Sequence, residues 1–158
     1  PRQGGVDPKL AQQPPGPTQD VREVADVVAR LWGSGLLPAR QGVGLDPFGV
    51  AAIVDEIGSR GVPDEVLVSI PQGVRLSPAV WGAERKLADG TLRHGAQGLM
   101  AWAIANAKAE QRGNAVIIVK ETSGKAKIDP LIAMFNAVQL MARNPQAETA
   151  AAPSIFAL

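Results

Sequence analysis

The chain has no cysteine and no tyrosine, and His94 is its single histidine. Without thiols, disulfide cross-links, thiolate metal sites and a cysteine nucleophile are excluded. One imidazole likewise excludes a His-rich zinc centre. Aromatic residues make up only 4%, so a core has to be filled by Val, Ile, Leu and Ala. Neither sign of charge dominates, with sixteen Lys and Arg against fifteen Asp and Glu. No molecule-wide field attracts a polyanion, and any nucleic-acid surface has to be local. Apolar runs fall short of the roughly 18–20 residues of a membrane span, and no signal peptide is evident, so a soluble, intracellular protein is expected. Nucleotide fingerprints are missing as well. GVGLDPFG does not make GxGxxG, no GxxxxGK[ST] loop precedes a helix, and no serine sits in GxSxG.

What is present suits one domain. A chain of 158 residues, 46% of them hydrophobic, is long enough to bury a core and too short for two ordinary ones. Residues 1–19, rich in Pro, Gly and Gln, cannot bury enough apolar surface to offset their ordering entropy and are read as a flexible arm. Residues 20–145 form the folded unit, and 146–158 an Ala-rich tail. The chain begins at Pro1, which is the expectation for a piece excised from something larger.

Within the folded unit the hydrophobic period alternates between helix and strand. Val21, Val24, Ala25, Val28, Leu31 and Trp32 predict a helix over 20–33, with Asp20 and Glu23 at capping-box spacing. QGVGLD (41–46) predicts a short strand, followed by a helix through Val50, Ile53, Val54 and Ile57. EVLVSI (65–70) predicts a second strand, stopped by Pro71. Ser77 and Pro78 suit the cap and first turn of a helix to about Ala88, where Asp89 and Gly90 turn the chain. Residues 97–107 read as helix, AVIIVK (115–120) as a strand, and 129–142 as a helix apolar nearly all round and therefore buried. Strands alternating with helices predict an α/β layered domain with a central sheet flanked by helices.

Two carboxylates stand out by position. Asp46 ends a strand at the edge of the sheet where open α/β folds place ligands, and Asp129 opens a helix just before Pro130. Both suit ordinary caps. Both also suit a hard divalent cation, for which one or two carboxylates with water and phosphate are the usual shell. Lys120, Lys125 and Lys127 lie directly before Asp129, and Arg93 follows the preceding helix. They read either as solvated surface or as the local patch a phosphodiester backbone requires. His94 reads as a turn residue rather than a catalyst, while Asn106 and Asn136 could hydrogen-bond across the core.

The order GLDPFGVAAIVDEIGSRG, IPQG, ERKLADGTLRHG, LMAWAIANAK, a strand ending in Lys, then KIDPLIAMFNAVQLMARNP resembles the C-terminal nuclease part of tailed-bacteriophage terminase large subunits over about residues 20–145. The most specific pieces are K-I-D-P with its apolar helix and the D-P-[FWY]-G turn upstream. The resemblance implies an RNase H-like fold and metal-dependent endonucleolytic cutting of concatemeric viral DNA in the host cytoplasm. It implies Mg²⁺ or Mn²⁺ held by Asp46 and Asp129 and double-stranded DNA as the substrate, for whose backbone Lys120, Lys125, Lys127 and Arg93 are the candidate patch read above. It also implies the terminase ATPase domain, small terminase subunit and portal as partners. One departure stands out. The family's first acid lies on an opening strand upstream of the helix begun at Asp20, with two further strands between. Here the Pro/Gln arm fills that space, and Asp7 is not assigned the role. The first strands of the fold are therefore expected to be lacking. The alternative reading is a noncatalytic DNA-binding or motor-assembly module of the same machinery.

Overall fold

The computed structural model describes residues 18–121 and 127–145. In chain order the elements are α1 (Gln19–Gly33), β1 (Val43–Leu45), α2 (Ala51–Ser59), β2 (Leu67–Ser69), α3 (Ser77–Ala88), α4 (Gly98–Ala105), β3 (Ala107–Arg112), β4 (Ala115–Lys120) and α5 (Asp129–Met141). Of the arm read at 1–19 only Thr18 and Gln19 lie among the described residues, and Gln19 already belongs to α1. The tail at 146–158 lies outside them.

β1 and β2 run parallel, with Val43 opposite Leu67, Gly44 opposite Val68 and Leu45 opposite Ser69. The pleat sends successive side chains to opposite faces. Val43 and Leu67 pack on the cluster of Ala25 and Val28 of α1, Ile57 of α2, and Val62 and Val66 of the segment that follows it. Val68, with Ile70 just beyond β2, joins Leu131, Phe135, Val138 and Leu140 of α5. Helices thus cover both faces of the parallel pair, the arrangement that buried parallel strands require. Gly44 sets how closely the layers approach: a Cβ there would stand 2.8 Å from Ile70 Cγ1 and 3.1 Å from Leu140 Cδ1.

The expectation of one central sheet is corrected. Among the described residues the strands form two separate pairs, β1 with β2 and β3 with β4. The second is an antiparallel hairpin running from Ala107 opposite Lys120 to Arg112 opposite Ala115, turned by Gly113 at φ +59°. It packs on α3, where the buried Ser77 hydroxyl accepts the Val116 N–H at 2.9 Å. Ser77 therefore anchors the hairpin and makes no capping bond to its own helix. β3 (AKAEQR) carries no strand signal because its residues favour helix in isolation. Pairing with apolar β4 is what extends it.

Smaller corrections follow from competition for polar groups. The capping box is not formed: Asp20 lies within the first turn of α1 and accepts the Val21 N–H, while Glu23 accepts from Gln19. The strand read at 65–70 shortens because Asp64–Val66 coils into a 3-10 turn. α5 is also less enclosed than its composition suggests. Leu131, Phe135, Asn136, Val138 and Leu140 are buried, but Asp129, Ala133, Ala137 and Met141, spaced four apart, share an exposed stripe.

Candidate functional site

β1 and β2 end side by side, with the Ile70 N–H donating to the Leu45 carbonyl at 2.8 Å. The chain leaves β1 as Asp46-Pro47-Phe48-Gly49 and β2 as Pro71-Gln72-Gly73. Between these exits, at the carboxyl end of the parallel pair, lies an open groove of about 420 Å³ lined by Pro47, Phe48, Pro71, Gln72, Val74 and Arg75. Ligands bind α/β sheets at this edge because the strand ends free backbone and side chains from packing.

Asp46 is half-buried. One carboxylate oxygen, Oδ1, accepts the Phe48 N–H at 2.9 Å, an Asx turn that fixes the side chain relative to the loop. Asp129 is exposed at the first turn of α5, where free amides favour a carboxylate. Neither carboxylate forms an ion pair with a described residue. Three contacts give the relative direction of the elements that carry them. Arg143 beyond α5 donates to Gln41 at 2.6 Å, Leu140 lies over Gly44, and Asn136 accepts from Gln72 at 3.0 Å. Moving along β1 toward Asp46 therefore means moving back along α5 toward Asp129. Among the described residues no three His, Asp or Glu side chains cluster to hold a metal ion. The donor chemistry nevertheless fits Mg²⁺ or Mn²⁺, hard cations that accept one or two carboxylates and complete the shell with water and phosphate.

The basic residues divide. Lys120 and Lys127 are drawn to one corner by Asn106, whose carbonyl accepts the Glu121 N–H at 2.8 Å and whose side chain donates to the Lys127 carbonyl at 3.2 Å. Both lysines are exposed, directly before α5. Lys125 lies outside the described residues. Arg93 belongs to the loop between α3 and α4, where its Nε donates to the Gly90 carbonyl at 3.4 Å. No hydrogen bond among the described residues ties it to the lysine corner. His94 accepts the Ala96 N–H at 3.2 Å through Nδ1, a local turn contact in line with its reading as a turn residue.

Gln72, Phe48 and Arg75 carry no role in the sequence reading. Gln72 donates to the Ile70 carbonyl at 2.8 Å and to the buried Asn136, pinning the β2 exit onto α5. The polar Asn136 in a largely apolar helix was the available signal, and it does hydrogen-bond across the core. Phe48 was legible only as one letter of the D-P-[FWY]-G turn.

Compared with known families, residues 12–144 match the model for the terminase large subunit, endonuclease domain. No curated protein and no solved structure matches the chain.

Proposed function

Because the chain belongs to the terminase large subunit endonuclease domain family, we propose that it cuts concatemeric viral double-stranded DNA during packaging, by divalent-metal-dependent phosphodiester hydrolysis on an RNase H-like fold. The observation that carries this reading is the family match across residues 12–144, which spans both Asp46 at the carboxyl end of the parallel strands and Asp129 at the head of α5.

In this reading Asp46 and Asp129 hold Mg²⁺ or Mn²⁺. When bound, such cations would supply activation of the attacking water and stabilisation of the leaving 3′ oxygen. The protein's own part is positioning. The Phe48 N–H holds one oxygen of Asp46, which leaves the other directed by that bond rather than free to rotate. Lys120, Lys125, Lys127 and Arg93 neutralise backbone phosphates, contacts that orient a duplex without reading its sequence. The terminase ATPase domain, small subunit and portal are the proposed partners, in the host cytoplasm. No described helix is long and apolar enough to cross a membrane.

The test is nicking of supercoiled plasmid in Mn²⁺. Asp129→Asn and Asp46→Asn should each lower the rate by more than the roughly 10–100-fold that losing a mere outer-shell partner costs a metal site. Equal cleavage by wild type and both variants would remove the assignment. Salt-sensitive DNA binding with no cleavage in any divalent metal would instead identify a noncatalytic DNA-binding or assembly module.

A further inference from the structure

Phe48 is 81% exposed, the most exposed of the large hydrophobic side chains described. A solitary exposed apolar residue needs no explanation. This one is held in place on both sides. Pro47 restricts the backbone before it, Asp46 accepts its N–H at 2.9 Å, and Gly49 turns the chain behind it at φ +71°, a conformation open chiefly to glycine. The ring is presented to solvent by a fixed loop.

Its surroundings are specific in kind. Phe48 forms one wall of the groove of about 420 Å³ at the carboxyl end of the parallel strands, and Arg75 stands on the same groove. Arg75 is exposed and pairs with no carboxylate among the described residues. Gln72, itself anchored to Ile70 and Asn136, lines the groove as well. A flat apolar face two residues along the chain from a candidate metal-binding carboxylate, with the Arg75 cation on the same groove, matches one nucleotide: a base for the ring and a phosphate for the guanidinium.

Resting on the nuclease reading, we infer that Phe48 stacks on a DNA base beside the scissile phosphate, with Arg75 on an adjoining phosphate. In an intact duplex both faces of each base are covered by neighbours. An aromatic ring reaches one only by wedging into an opened step or by meeting an unpaired base. The favoured substrate is therefore duplex DNA locally opened at the cut, and Phe48 is the residue that selects it.

The test uses the 158-residue chain with two DNA duplexes, one fully paired and one carrying a single unpaired 2-aminopurine. Binding is read by anisotropy and stacking by 2-aminopurine emission. Wild type should bind the unpaired duplex about 10-fold tighter, the scale of one base on one aromatic ring, and quench the probe. Phe48→Ala should lose the preference and the quenching while keeping its affinity for the paired duplex. Phe48→Trp should retain both, and Arg75→Gln should weaken both duplexes alike. An unchanged preference in Phe48→Ala, with salt-sensitive binding intact, overturns the inference and leaves the nuclease reading standing. A wild-type chain that binds neither duplex overturns that reading, and the inference with it.

Discussion

Asp89 illustrates how a single side chain sets a turn. Its Oδ1 accepts both the hydroxyl and the N–H of Thr91, the latter at 2.9 Å, and these bonds, the hydroxyl foremost, hold its pKa below the ordinary 3.8. A depressed carboxylate contributes stability that is fully present above the unfolded-state pKa and lost as pH falls through the lower folded value. The loss should therefore begin near pH 3.8 and continue below it. Asp89→Ala should lower the urea midpoint at about pH 7 and approach wild type as the pH drops past that window. A difference that persists undiminished at low pH would assign the turn's stability to something other than the charge. Polar groups elsewhere are also drawn to specific partners. Ser77 suits a helix cap in sequence, yet its hydroxyl goes to a tertiary partner, the Val116 N–H, and the Asn106 side chain likewise reaches the distant Lys127 carbonyl.

At the scale of elements, β1 is only three residues long, so its position depends on what it rests against. Gly44 lets it lie flush on Ile70 and Leu140. Ile70 is fully buried and has nowhere to retreat. Gly44→Ala should destabilise the fold by about 1–3 kcal/mol, the usual cost of an added methyl in a filled interior, measured by chemical denaturation. Because Asp46 follows two residues later, the same substitution should weaken divalent-metal binding more than its stability cost implies. Metal affinity equal to wild type in the folded variant would show that β1 and the carboxylate move independently. On the other face Arg60 clamps α1 to α2. Its guanidinium donates to both Asp26 and Glu56, and those bonds, the one to Glu56 foremost, raise its pKa above the ordinary value.

Across the whole molecule, a net charge of +1 leaves little long-range attraction for DNA. Affinity has to come from local groups, and the corner at Asn106 gathers two of them, Lys120 and Lys127. Replacing both together by Gln should weaken binding to any duplex and reduce the slope of log affinity against log salt by about two, near one for each phosphate that is no longer neutralised. A slope equal to that of wild type would place the phosphate-binding surface elsewhere. The two hydrophobic clusters, one under α1 and α2 and one around α5, meet across a parallel pair only two strands wide among the described residues.

Much of this was legible in the chain itself. Val21 to Trp32, Ser77 to Ala88 and Asp129 to Met141 repeat their apolar residues at helical intervals, and AVIIVK runs on with nothing polar to break it before its final lysine, so these elements and the α/β class follow from local pattern. The ordered motifs around Asp46 and Asp129 were equally readable, since they are contiguous residues. The division of the strands into two pairs was not, because AKAEQR becomes a strand only through hydrogen bonds to β4. Nor was the groove, since Phe48 and Arg75 are brought to one edge by parallel pairing of strands separated by a whole helix, and Gln72 finds Asn136 across 64 positions. Sequence settles what neighbours along the chain decide through backbone preference and hydrophobic period. Which distant side chains share a surface depends on the layer packing that buries those periods, and that is a property of the folded chain alone.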